Sequence, residues 1–184
     1  MKELLKIASN GQWALQKNDD SLDHPALSHG SPYKIKDIHS GTGPLYLSPH
    51  PAIAKEYANE KLQGAQQPPQ GAVSDPGVHK LSAANLKTLD LRRPDHAAEY
   101  MQRREKALST ITDPDERASY PHLKKEGFIS SKTGLPSYGQ SHILNKLFPE
   151  YDAHLLDEGS QGHSYAVYNR QKLKYHGRLK DSDV

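Results

Sequence analysis

The sequence predicts an α+β fold, with short strands and helices packed around a small core. Three observations predict it. Strand-length apolar runs such as Leu45-Tyr46-Leu47 stand beside a segment with helical spacing, Ile53 and Tyr57 flanked by Ala54 and Ala58. Glycines and prolines break the chain into short elements, in no regular alternation and with no internal repeat. The 184 residues suit one domain, which buries roughly 70% of the surface its unfolded chain exposes.

Taken in order, residues 2–9 predict a short helix with Leu4, Leu5 and Ile7 on one side. Asn18 to Pro25 is polar and turn-rich and predicts a linker, so residues 1–25 read as an N-terminal helix and linker. Leu27 to Ile38 is extended, interrupted by Gly30 and Pro32. After the turn Gly41-Thr42-Gly43-Pro44 comes the strand 45–47. Ser48-Pro49 predicts a helix start, a hydroxyl cap before a proline, and the helix fades near Leu62.

Gln63 to Gly77, rich in Gln, Pro and Gly, predicts a surface loop. Val78–Leu81 and Thr88–Leu91 predict two strands. Pro94–Leu108 and Asp115–Gly127 predict helices, the first of them charged and facing solvent. Gly127 to Gly139 is loop, Ile143–Phe148 a short helix, and Tyr151–Leu156 and Ser164–Tyr168 two further strands.

Composition excludes several classes. The apolar fraction is 34% and the mean hydropathy −0.85, so much loop and a small core are expected. A net charge of +2, with both signs interspersed, does not call for nucleic acid or an anionic membrane. Without cysteine there is no disulfide framework and no thiolate chemistry. No apolar run approaches a membrane span, and the N-terminus is too short and charged for a secretory leader, so a soluble protein is expected. His24, His29, His39 and His50 lack the spacing of a metal site, and no metal is expected. Arg92, Arg93, Arg103, Arg104 and Lys106 alternate with Asp95, Glu99 and Glu105, as on a solvated helix face.

Two constellations carry chemistry. In Ser28-His29-Gly30-Ser31-Pro32 the glycine lets a ligand approach the backbone, while a ring nitrogen and a hydroxyl flank it. In the second, ten residues separate Tyr46, on a strand, from Tyr57, three turns into the next helix. Two rings so placed can sandwich a flat cationic heterocycle by stacking and cation–π attraction.

His-Gly-Ser followed by this tyrosine pair resembles the diphtheria-toxin and poly(ADP-ribose) polymerase branch of the ADP-ribosyltransferases. His163-Ser-Tyr-Ala-Val-Tyr-Asn169 with Gln171-Lys-Leu-Lys-Tyr175 resembles that family's last core strand and its exit. Glu150-Tyr-Asp-Ala153 resembles the stretch before it. The resemblance covers about residues 27 to 175. It implies a split, mixed sheet with NAD⁺ in the cleft between its halves. By the same resemblance His29 binds the adenosine ribose, Gly30 and Ser31 hold the nicotinamide carboxamide, and Tyr46 and Tyr57 frame the ring.

The family's catalytic glutamate normally precedes the aromatic-rich strand, where this chain has Ser164. Glu158 lies six residues earlier. Three arrangements remain open: Glu158 substitutes, another acid or the substrate assists, or the site binds NAD⁺ without turnover. Glu158 and Ser164 are the candidate catalytic residues.

The resemblance implies a mono-ADP-ribosyltransferase that consumes NAD⁺, needs no metal and modifies a target protein. It further implies a bacterial toxin or effector, secreted into a target cell without a cleaved leader. The alternatives are a degenerate module that binds NAD⁺ or ADP-ribose and, second, an RNA 2′-phosphotransferase-like enzyme. The last would need arginines lining a phosphate site, a set the sequence does not offer.

Overall fold

A computed structural model describes residues 21–41, 43–63, 73–110, 129–130, 132–137, 141–159 and 162–183. The helices expected over 2–9 and 115–127 lie outside them. The described chain is α+β, with one mixed sheet of six strands.

One long strand organises the sheet. Six strands form in chain order: β1 (Ser21–Tyr33), β2 (Leu45–Leu47), β3 (Ser74–Leu89), β4 (Ala153–Asp157), β5 (His163–Val167) and β6 (Leu173–Arg178). β3 pairs antiparallel with β1 and with β6, and its end, Thr88 and Leu89, runs parallel to Ala153 and His154 of β4. β4 pairs antiparallel with β5, and β5 with β2. β1 and β2 meet at one bridge, where Ser28 N–H donates to Ser48 O at 2.7 Å and Ser48 N–H to Ser28 O at 2.8 Å. The sheet therefore parts on either side of that bridge.

Among the described residues three helices cover it: α1 (Pro51–Gln63), α2 (Pro94–Thr110) and α3 (Ser141–Leu147). Alternation along β4 and β5 separates two cores. Leu155, Tyr165 and Val167 pack with Leu27, Leu47 and Leu81. Leu156 and Ala166 pack on the opposite face with Tyr100, Leu144 and Phe148. Strands buried on both faces read as continuous apolar runs, which is why these two are evident in the sequence. None of the described helices is long and apolar enough to cross a membrane.

The structure corrects the element boundaries. Ser21–Pro25, expected as linker, belongs to β1, and its bulges accommodate the polar residues there. Asp23 accepts a bond from Asn85 N–H at 2.8 Å, so even this exposed end is tied to β3. Residues 74–77, expected as loop, begin β3, and the two strands expected over 78–91 are this single strand. It continues through Asn85, whose φ of +51° is a left-handed conformation that asparagine tolerates. Helix α1 starts at Pro51, because Ser48 is held in the bridge to β1 while its Oγ accepts His50 N–H at 3.0 Å. Helix α2 is not wholly solvent-facing, since His96, Tyr100 and Arg104 are buried.

Candidate functional site

A cleft opens where β1 and β2 part. It encloses about 380 Å³, counting its solvent-open mouth. His29 and Gly30 of β1, Tyr46 of β2, Tyr57 of α1 and Ser164 of β5 line it, with Ser28, Leu47, Ser48 and Ala54 completing the wall. Four sequence-distant segments thus bring five of the seven candidate residues to one cavity.

Each residue has a structural reason for its position. His29 Nδ1 donates to the Tyr46 carbonyl at 2.8 Å, tying β1 to β2 beside the bridge. Gly30 is required by packing: a Cβ there would lie 1.7 Å from the Ala54 carbonyl oxygen. Helix α1 therefore uses the absence of a side chain at Gly30, and it carries Ala54 and Tyr57 to the cleft as a result. Ser31 behaves differently. Its hydroxyl donates to Tyr33 O at 2.8 Å and accepts Tyr33 N–H at 3.2 Å, and it does not line the cleft.

Tyr46 is half-buried, and its hydroxyl shares a 2.7 Å hydrogen bond with Ser141 Oγ at the start of α3. Beside it, burial pushes the Tyr168 hydroxyl up to about 12, so that group stays protonated. Ser141 was not a sequence candidate, since 95 residues separate it from Tyr46 and no local pattern joins them.

Glu158 reaches the site through a hairpin. β4 and β5 pair Leu156 with Ser164 and Asp157 with His163, and Glu158 N–H bonds to Gly162 O at 3.0 Å to close the turn. Glu158 lies two residues beyond Leu156, hence on the same face as Ser164 and diagonal to it across the pair. The Ser164 hydroxyl donates to Glu158 Oε1, and the Tyr57 hydroxyl donates to Oε2 at 2.5 Å. Glu158 itself does not line the cleft; its carboxylate is held behind the wall by two neutral donors that do line it, one from α1 and one from β5.

The basic cluster is held by ion pairs. Arg92 grips Asp90, Arg93 grips Asp95, and Arg103 bridges Glu99 and Glu150. Among the described residues no three His, Asp or Glu side chains gather as a metal ion would require.

No family model matches the chain, and no curated protein does. It is similar to one solved structure, the "Crystal structure of an anti-CRISPR protein", at 18% identity and a TM-score of 0.46. The match covers 89% of this chain and 100% of that one. Similarity at that level assigns neither activity nor partner.

Proposed function

We propose that the chain is a mono-ADP-ribosyltransferase that cleaves NAD⁺ and transfers ADP-ribose to a target protein, its parted sheet being a form of the ADP-ribosyltransferase fold. The observation that carries this reading is the Glu158 carboxylate, held by Tyr57 and Ser164, which line the cleft together with Tyr46.

Nicotinamide enters between the tyrosines, whose faces attract a flat cation. The bond between its ring nitrogen and ribose C1′ breaks, and the electron pair leaves with nicotinamide. Positive charge develops on the ribose, where Glu158 stabilises it and accepts a bond from the 2′-hydroxyl. Negative charge placed where positive charge develops is usually the largest catalytic contribution. A nucleophile of the acceptor bonds to C1′ and releases its proton. Ser164 contributes by orienting Glu158, and Glu158 takes the part of the glutamate that the family carries at the position of Ser164. The same reading makes the protein a toxin or effector that acts in a target cell.

Labelled NAD⁺ incubated with a eukaryotic lysate and the protein tests this. Label is expected on macromolecules with the wild type, and is lost with Tyr46→Ala and with Glu158→Gln. An absence of label, of nicotinamide release and of NAD⁺ binding would refute it. One observation favours a second reading, a binding module without turnover: Ser164 stands where the family has its glutamate. NAD⁺ binding with no nicotinamide release selects that reading.

A further inference from the structure

A dinucleotide carries two phosphate charges, yet the described residues lining the cleft include no lysine or arginine. The cation lies one step outside it. His29 of β1 is the direct cross-strand partner of His79 of β3, and His79 is the direct partner of Arg178 of β6. Directly opposed residues share a face of a sheet, so these three form one row that begins at the cleft.

The Arg178 side chain does not extend away from this row but folds back along β3. A Cβ on Gly77 would lie 2.6 Å from Arg178 Nε and 2.8 Å from Cζ. Gly77 lies two residues before His79, on the same face, and is the cross-strand partner of Ser31. The guanidinium therefore covers β3 at Gly77, about 5 Å across the strand pair from Ser31. One strand-length dipeptide, about 7 Å, separates Ser31 from His29. A pyrophosphate joined to a ribose at His29 spans such a distance.

We propose that Arg178 is the anion subsite for the pyrophosphate of NAD⁺, and that Asp75 competes with the ligand for its guanidinium. Arg178 Nη1 donates to Asp75 Oδ1 at 2.6 Å, and Nη2 donates to the Pro76 carbonyl. Both charged side chains are over two-fifths exposed, at 46% and 41%. An exposed pair of this kind is weak and yields to a doubly charged ligand. The Pro76 contact keeps the guanidinium flat over Gly77 when Asp75 lets go. A Cβ at 77 would push the guanidinium from this position. The inference rests on reading the cleft as an NAD⁺ site and adds where the ADP half is held.

Calorimetry with two ligands tests it: ADP-ribose, which carries the pyrophosphate, and nicotinamide riboside, which does not. Arg178→Ala is expected to weaken ADP-ribose about tenfold, the effect of losing one charge-assisted contact. Asp75→Asn is expected to tighten it about threefold by removing the internal competitor. Neither variant should change the affinity for nicotinamide riboside. A purely structural ion pair would instead make both variants move ADP-ribose in the same direction, or move both ligands alike, and either result overturns the subsite. Wild-type protein that binds both ligands, with Arg178→Ala unchanged for ADP-ribose, removes the subsite alone. Wild-type protein that binds neither ligand removes the reading of the cleft together with the subsite.

Discussion

Asp152 and Glu158 are carboxylates six residues apart, and their surroundings divide structure from chemistry. Asp152 is matched by charge: Lys172 Nζ donates at 2.7 Å, Asn169 Nδ2 at 2.7 Å and Lys87 N–H at 2.9 Å. Its own main chain bonds to Lys87, Tyr168 and Asn169, so it clasps β3 to the end of β5. Burial alone would raise its pKa, but the Lys172, Asn169 and Lys87 donors hold it below the usual carboxylate value. Among the described residues Glu158 receives two hydroxyls, both neutral. A carboxylate already paired with a cation stabilises the fold. One held in place by neutral donors beside a cleft keeps its charge for a cation that arrives from outside.

This contrast gives predictions that separate the two carboxylates. The largest concerns activity: Glu158→Gln lowers nicotinamide release by about 10² to 10³, the scale for losing one electrostatic contact to a transition state. Its melting temperature stays near that of the wild type, because the amide oxygen still accepts from one of the two hydroxyls and its NH2 can donate to the other. Asp152→Ala does the reverse. Chemical denaturation should show a loss of about 3 kcal/mol, since Lys172 and Asn169 lose their common acceptor.

The next prediction concerns acid. His154 is fully buried, and burial holds its pKa down to about 4. The unfolded chain binds that proton first, so stability falls as pH drops from about 6.5 to about 4, by about 3 kcal/mol. Asp152, with a depressed folded value, contributes stability that is present above the usual aspartate range and lost only below it. Denaturation between pH 7 and 4 should therefore flatten in His154→Phe and keep its slope in Asp152→Asn. The smallest effect is expected from Ser141→Ala, which removes the bond to the Tyr46 hydroxyl and should weaken NAD⁺ about threefold, close to the value of one neutral hydrogen bond.

Much of the fold was legible where one residue's neighbours in sequence are also its neighbours in space. Leu45–Leu47, helix α1 and the paired runs of β4 and β5 follow from apolar spacing. The sequence predicts two strands where β3 is one, because its middle, Ser82 to Lys87, offers no continuous apolar run: buried Ala83 and Leu86 stand among half-buried and exposed positions, and Asn85 takes a positive φ. Strand β6 is not evident in the sequence because Lys174, Tyr175, His176 and Arg178 are exposed, which leaves no apolar alternation. At the site, Tyr46 and Tyr57 were legible because a strand and the following helix fix their relation. The bond from Ser164 to Glu158 depends on hairpin register, and the row from His29 to Arg178 on two strand pairings. Cross-strand register is written in no local pattern, and it decides both.

The most direct test of the central claim is nicotinamide release at saturating NAD⁺, comparing wild type with Glu158→Gln at matched occupancy. The account predicts that NAD⁺ binds both proteins with similar affinity and that release falls at least a hundredfold in the variant. Equal release from the two would show that Glu158 is only another structural carboxylate, and the distinction drawn from Asp152 would fail with it.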